Sequence, residues 1–333
     1  MRALLAAALI LSAVFLAAYR EVRAPLRAAD AAPQPLVVPE GASAEAIGRQ
    51  LRELGLVRHA LIFRAVVTAR GAEGKLRAGE YSLQGPLTLD QIVDMLVRGD
   101  VERREITFPE GKTVEDMALV VTAHGLDGVA FLKLARDPSP IRDLDPQAAD
   151  LEGYLFPDTY DVARAPGAIL GLSARMVRRF RDVVTPELPL LAEHNLSVRQ
   201  LVTLASVVEM ETAQAEERPR IAAVFLNRLK KGMPLQTDPT VIYAMRRAGS
   251  WDGNIRKRDL SIVSPYNTYV HAGLPPGPIA SPGRASLQAV LHPAPVKDLY
   301  FVSRNDGTHQ FSETLAEHER AVDRYQRHSR QGS

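Results

Sequence analysis

The chain has 333 residues, 46% of them hydrophobic and 24% charged, and it contains no cysteine. Lys and Arg number 41 against 39 Asp and Glu, which leaves a net charge of +2. These figures exclude a disulfide scaffold, a thiolate metal site and a cysteine nucleophile. They argue against nucleic-acid binding through bulk charge and against a mostly disordered chain, and they leave room for about two ordinary domains.

The first element is an uncharged apolar run, Ala3 to Tyr19, set behind Met1-Arg2. As a helix it is about 26 Å long, close to the ~30 Å hydrocarbon core of a bilayer. A cleaved signal peptide is the competing reading, because alanine-rich sequence precedes Tyr19. Phe15-Leu16 carry the apolar run almost to Arg20, which favours an uncleaved anchor over residues 1–20. A lipoprotein is excluded, since lipidation at a mature N-terminus needs a cysteine. Residues 21–35, rich in Ala, Arg and Pro, read as a linker.

A strand–turn–helix unit then occurs twice. Leu36-Val37-Val38 is a short β run, followed by Pro39-Glu40-Gly41, by Ser43 as helix cap, and by Ile47, Leu51 and Leu54 at helical spacing. Ile106-Thr107-Phe108 is followed in the same way by Pro109-Glu110-Gly111, by Thr113 as cap, and by an apolar face containing Val114, Met117 and Leu119 to Val121. Between the copies lie a strand, Gly79 to Leu83, and a helix, Leu87 to Leu96. Such modules suit binding along a polymer, and equally suit a plain α+β unit without a ligand.

The common nucleotide and hydrolase signatures are missing. No two glycines are separated by one residue, which excludes GxGxxG, and Ile106 stands where a phosphate loop beginning before Gly111-Lys112-Thr113 needs glycine. GxSxG, SxxK and HExxH are absent. Asp143 and Asp145 do not open a calcium loop, because Ala148 occupies the turn position. No metal and no cofactor is expected. Pro157-Asp158-Thr159 reads as a turn, with Asp158 in a structural role.

The chemistry concentrates further on. Val198 to Thr212 reads as one helix, capped by Ser197, with Leu201, Val202, Leu204, Ala205 and Val208 as its apolar face. Glu209 and Glu211 fall at opposite borders of that stripe, at about 100° per residue. A carboxyl at such a border is partly desolvated, which raises its pKa and suits a general acid. Periodicity leaves the choice between the two open. A second helix carries Ile221, Val224, Phe225 and Leu229 and ends near Asn227-Arg228. Loops rich in Pro, Gly and short polar residues follow, at 232–240, 264–269 and 273–279. Their Tyr, Asn, Gln and Thr side chains suit carbohydrate, which tyrosine faces stack on and amides and hydroxyls read.

Several segments resemble those of one known family. Leu151-Glu152-Gly153-Tyr154-Leu155-Phe156-Pro157-Asp158-Thr159-Tyr160 is similar to its EGxxxPDTY motif, and Ala205-Ser206-Val207-Val208-Glu209-Met210-Glu211-Thr212 to its ASxxExET motif. Phe225-Leu226-Asn227-Arg228, Leu235 to Tyr243, Tyr266-Asn267-Thr268-Tyr269, Gly273-Leu274-Pro275-Pro276-Gly277 and Leu299-Tyr300-Phe301-Val302 follow in the family's order. The chain thus resembles the endolytic murein transglycosylases of the YceG/MltG type from the membrane segment to about residue 325.

The resemblance implies an α+β fold with an N-terminal membrane helix, a LysM-like strand–helix module at 36–104 and a larger α+β catalytic domain at 105–328. It implies a single-pass protein of the inner (plasma) membrane whose catalytic domain faces the periplasm or exterior. The implied reaction cleaves the β-1,4 bond between N-acetylmuramic acid and N-acetylglucosamine in peptidoglycan, forming a 1,6-anhydro end and terminating nascent strands beside penicillin-binding proteins. No nucleic-acid partner is implied. The resemblance selects Glu211 as the catalytic acid, which then serves as base, so that one carboxyl works in both half-steps. No second carboxylate stands out at glycosidase spacing. Glu209, Asn227, Gln236, Thr237, Asp238, Tyr266, Asn267 and Glu152 are the candidates for holding substrate. A hydrolytic muramidase and a non-catalytic peptidoglycan-binding scaffold are the alternatives.

Overall fold

The computed structural model describes residues 32–327, together with Leu16, Tyr19, Arg20, residues 22–25 and Asp30. Most of the apolar run Ala3–Tyr19 lies outside the described residues, and among those described no helix is long and apolar enough to cross a membrane. The described chain is α+β, with helices and small two-stranded sheets. It forms two compact units. One takes the chain up to Glu105 together with Tyr160–Ala168, and the other takes Ile106–Thr159 and the chain from Ile169 onward.

The first unit begins with β1 (Gln34–Val38), two residues inside the segment that composition assigns to a linker. After the Pro-Glu-Gly turn come α1 (Ala44–Glu53), α2 (Ala60–Ala69), β2 (Gly79–Leu83) and α3 (Leu89–Arg98). Strands β1 and β2 pair antiparallel, with Leu36 opposite Tyr81 and Val38 opposite Gly79. Alternation turns Leu36, Val38, Tyr81 and Leu83 inward onto Ile47, Leu51, Phe63, Val67, Ile92 and Leu96. Helix α1 starts at Ser43, whose hydroxyl accepts the Ala46 amide, and α3 starts with a Thr88/Gln91 capping box and stops at Gly99 in the left-handed region, φ 74°. Gly48 permits the close approach of α2, because a Cβ there would lie 2.9 Å from the Ala60 carbonyl oxygen.

Strands β3 (Arg103–Thr107) and β4 (Thr159–Ala163) carry the chain between the units. In the first unit the Arg164 amide donates to the Glu102 carbonyl (2.8 Å) and the Glu80 amide to the Arg164 carbonyl (2.7 Å). Those bonds draw Tyr160–Ala168, which sequence order places in the catalytic region, into the smaller unit.

In the second unit the repeated turn leads into α4 (Val114–Ala123), capped by Thr113 and Asp116. It continues through α5 (Gly128–Ala135), α6 (Ala168–Val184) and α7 (Leu188–Glu193) to α8 (Val198–Glu211). Helix α8 starts at Ser197, the cap the sequence predicts, which forms a capping box with Gln200. The one-sided apolar stripe does not hold, however: every residue from Leu201 to Val208 is buried. Helices α9 (Arg218–Lys230), α10 (Asp238–Arg247) and α11 (Arg284–Leu291) pack around it. A helix enclosed in this way favours partners for its polar side chains, although Thr203 Oγ1 is buried without one among the described residues. Ser206 accordingly donates to the Thr203 carbonyl (2.7 Å) and accepts the Ile279 amide (3.0 Å). Truncating a residue such as Leu201 in this core costs roughly 2–5 kcal/mol. The hairpin β5 (Tyr300–Ser303) and β6 (His309–Ser312), with α12 (Leu315–Val322) against it, completes the unit.

Candidate active site

Helix α8 ends at Glu211 because Thr212 turns extended, φ −142°. The half-buried Glu211 side chain enters an open cavity of about 420 Å³, lined also by Arg228, Gln236, Asp238, Tyr269, Phe301 and His309. The Thr237 hydroxyl donates to Glu211 Oε2 at 2.5 Å. Burial pushes the Glu211 carboxyl above the ordinary glutamate value; the Thr237 hydrogen bond opposes this, the Asp238 charge adds to it, and His309 and Arg228 oppose it. Desolvation dominates, so the group holds its proton to higher pH than a solvated glutamate, as a general acid must.

The loop before α10 is held so that Thr237 reaches this carboxylate. The Thr237 amide donates to Thr268 Oγ1 (3.2 Å), and the Thr240 hydroxyl donates to the Thr237 carbonyl (2.8 Å). Gln236, whose amide donates to the Thr268 carbonyl at 3.1 Å, has φ 52°. A non-glycine residue there costs on the order of 1–2 kcal/mol. The strain turns the chain sharply between Leu235, buried below, and Thr237 at the carboxylate. Asp238 accepts the Tyr269 hydroxyl at 2.6 Å. Burial and Asp238 push that phenol upward, so it remains a neutral donor.

Arg228 supplies a fixed cation. Its guanidinium donates to the carbonyls of Leu299 (2.6 Å) and Leu235 (2.7 Å) and lies 5.3 Å from the Tyr300 ring centroid. Burial lowers its pKa, while a guanidinium stays charged at any working pH.

The structure thus brings together Glu211, Gln236, Thr237 and Asp238 of the sequence candidates, and it places the others outside the lining of that cavity. Glu209, on the other side of the same helix end, accepts from Arg218 Nη2 and from the Gly283 amide, both at 2.9 Å, and its side chain is 5% exposed. Asn227 donates to the carbonyls of Val296 (2.9 Å) and Asp298 (3.1 Å). Asn267, fully buried, donates to Leu260 (3.0 Å) and Ile262 (2.9 Å) and accepts the Tyr269 amide, so it holds the loop that presents Tyr269. Tyr266 packs 4.9 Å from the Tyr243 ring, away from the lining of the Glu211 cavity. Glu152 is buried, accepts the Val114 amide (3.2 Å) at the start of α4 and the Tyr243 hydroxyl (3.3 Å), and burial pushes its carboxyl well upward. Internal partners engage the carboxylates of Glu209 and Glu152 and the amides of Asn227 and Asn267, and Tyr266 packs its ring on Tyr243. Asp158 takes the structural role expected of it, accepting the Thr159 amide (2.8 Å) and pairing with Arg179 (2.9 Å).

Tyr269, Arg228, Phe301 and His309 join the cavity without having been singled out as site residues. Tyr269 stands in a segment the sequence marks, and Arg228 follows a marked Asn. His309 has no local signal, since it enters through the far hairpin. Asp238, a substrate-binding candidate from the sequence, lines the same cavity as Glu211. Among the described residues no group of three or more His, Asp or Glu is placed to hold a metal ion.

Comparison with known proteins follows the same residues. The model of the YceG-like family matches residues 36–324. An endolytic murein transglycosylase of Bacillus subtilis (strain 168) is 34% identical over 308 residues, covering 86% of this chain and 83% of the relative. One of Streptococcus pneumoniae serotype 2 is 31% identical over 319 residues, covering 86% of this chain and 57% of the relative. The crystal structure of a yceG-like protein from Listeria monocytogenes superposes with a TM-score of 0.59 at 32% identity, covering 87% of this chain and 99% of that one.

Proposed function

This chain belongs to the YceG-like family, and on that premise we propose that it is a lytic transglycosylase of peptidoglycan, with Glu211 as its catalytic acid. The bond cut is the β-1,4 link between N-acetylmuramic acid and N-acetylglucosamine. The observation that carries the reading is the desolvated Glu211 carboxyl, held by Thr237 inside an open polar cavity. In its acid form it gives a proton to the leaving glycosidic oxygen. The cavity is a cleft open to solvent, as an internal cut in a long strand requires. Arg228, whose charge lowers the Glu211 pKa, favours the carboxylate once the proton has left. Gln236 and Tyr269 supply an amide and a phenol at the wall for sugar hydroxyls.

The attacking group is the muramyl 6-hydroxyl, which closes a 1,6-anhydro ring and ends the strand. The first unit, with its strand–helix modules, is a LysM-like holder of the glycan, and the Ala3–Tyr19 run tethers the enzyme to the inner membrane with the catalytic unit outside the cytoplasm. Strand termination beside penicillin-binding proteins is the role that the family resemblance supports for such an enzyme.

Mass spectrometry of products from purified sacculi tests the reaction. Ends one water lighter than reducing ends are expected. Reducing ends instead identify a muramidase, for which Asp238 in the same cavity is the available second carboxylate. Binding to sacculi without any product identifies a scaffold. Carbonate extraction of membranes tests the anchor, with the full chain expected in the pellet.

A further inference from the structure

The cavity holds a second group built for proton transfer. His309, first residue of β6, is gripped by Glu217, which lies just ahead of α9: its amide donates to Glu217 Oε1 at 2.8 Å and its Nδ1 lies 2.6 Å from Oε2. With a carboxylate as partner, Nδ1 carries the hydrogen, and Nε2 is the acceptor nitrogen of that tautomer. Nε2 has no hydrogen-bond partner among the described residues and is not one of the buried unpartnered atoms. The ring stands edge-on to Phe301, centroids 5.4 Å apart, and lines the cavity that receives Glu211. A carboxylate that fixes the ring, a free Nε2, and an acid in the same cavity are the parts of a base held by an orienting group.

The other titratable groups of that cavity are less suited. Arg228 has no lone pair to offer. Asp238 already accepts the Tyr269 hydroxyl at 2.6 Å. The His318 ring stacks on Tyr300, and its Nδ1 is buried without a partner.

We propose that His309, oriented by Glu217, is a second catalytic residue of this cavity, accepting through Nε2 the proton of the attacking sugar hydroxyl while Glu211 protonates the leaving oxygen. The inference rests on the reading of Glu211 as the acid. In the step, the C1–O4 bond breaks first to an oxocarbenium-like state, and the hydroxyl oxygen then bonds to C1 on the face that O4 has left. The hydroxyl proton goes to Nε2 and the Glu211 proton to O4. Solvent then returns a proton from the imidazolium to the Glu211 carboxylate, so no co-reactant is needed. Two groups divide the half-steps that family resemblance gives to one carboxyl.

Turnover of purified glycan strands by the full chain tests this. His309→Ala should lower kcat about 10²- to 10³-fold, in the range of general base removal, with KM within about two-fold. Added imidazole should restore about ten-fold of the loss by occupying the vacated ring site. His309→Gln keeps an amide for Glu217, and should be folded and as inactive as the alanine variant. A His309→Gln enzyme within about three-fold of the parent kcat overturns the proposal, as does a loss confined to KM. Absence of imidazole restoration in a folded alanine variant overturns it too. Glu211→Gln is the separating control. If that variant stays active, the reading of the acid falls as well; if it is dead while His309→Gln is active, only the role of His309 falls.

Discussion

Glu209 and Glu211 leave the same end of one helix two residues apart, and their carboxylates meet opposite surroundings. On one side Glu209 faces the Arg218 guanidinium and the Gly283 amide, both its oxygens are taken, and water is nearly excluded. On the other, Glu211 has one hydroxyl partner, a solvent-open cavity and a raised pKa. Both are partly desolvated, so desolvation alone does not make an acid catalyst. What separates them is compensation: Glu209 is paired with a guanidinium and bonded at both oxygens, whereas Glu211 has a single neutral donor and a carboxyl that burial pushes upward.

The largest effect expected from breaking this contrast is on Glu211. Glu211→Gln should lower turnover of glycan strands at least about 10³-fold with the fold intact, because the amide keeps the Thr237 bond and has no acidic proton. The same variant carries a stability signature. A carboxyl whose folded pKa is raised opposes folding once pH exceeds its unfolded value, about 4.3. The glutamine variant should therefore melt above the parent from about pH 5 upward, the gap growing until pH passes the folded value, and should match it below pH 4. A thermal melting series against pH checks this, and a gap that grows toward acid would reverse the assignment of the raised pKa.

The next effect is on the Glu209 side and should be one of stability. Arg218→Met leaves a buried carboxylate unpaired, which costs roughly 3–5 kcal/mol. Melting should fall by about 6–12 °C, while activity per folded molecule at low temperature changes far less than in Glu211→Gln. If Arg218→Met instead abolished turnover without lowering the melting point, the division between a structural and a catalytic carboxylate would be wrong.

A smaller effect is expected at Glu152, a third buried carboxyl, whose pKa is raised chiefly by burial. Glu152→Gln retains an acceptor for the Val114 amide and Tyr243 hydroxyl and removes the ionisation. By the same linkage it should be at least as stable as the parent above pH 7, by thermal melting, with turnover within about three-fold.

The ease with which these features read from sequence follows the range of the interactions involved. Caps and turns are local, so Ser43, Thr113 and Ser197 are legible from their neighbours. The ExE pair is legible as a polar end to an apolar helix. Asn227 and Asn267 look like sugar-binding amides until their donors meet carbonyls, some about seventy residues away for Asn227, and no spacing rule contains that meeting. His309 is hidden for the same reason, since Glu217 lies 92 residues earlier. Enclosure of α8 on every side depends on helices that arrive later in the chain, so an apolar stripe is all its own residues report.

The smallest effect sharpens the contrast through the repeated turn. Gly41 and Gly111 hold the same place in the two Pro-Glu-Gly units and share φ 73°. Alanine at either should cost about 1–2 kcal/mol through the left-handed backbone alone. Beyond Gly41 lies open space, with nothing within 4 Å of an added Cβ. At Gly111 the added carbon would meet Met210 Sδ at 3.1 Å and Glu209 Cγ at 3.8 Å. Met210 sits between the two glutamates and is 41% exposed, so its thioether can yield. Gly111→Ala should therefore melt only slightly below Gly41→Ala, and it alone should change turnover, by about two- to five-fold, through the end of α8. Equal turnover in the two variants would mean that the helix end absorbs the push without moving Glu211. The repeat would then be a shared backbone device with no bearing on the acid.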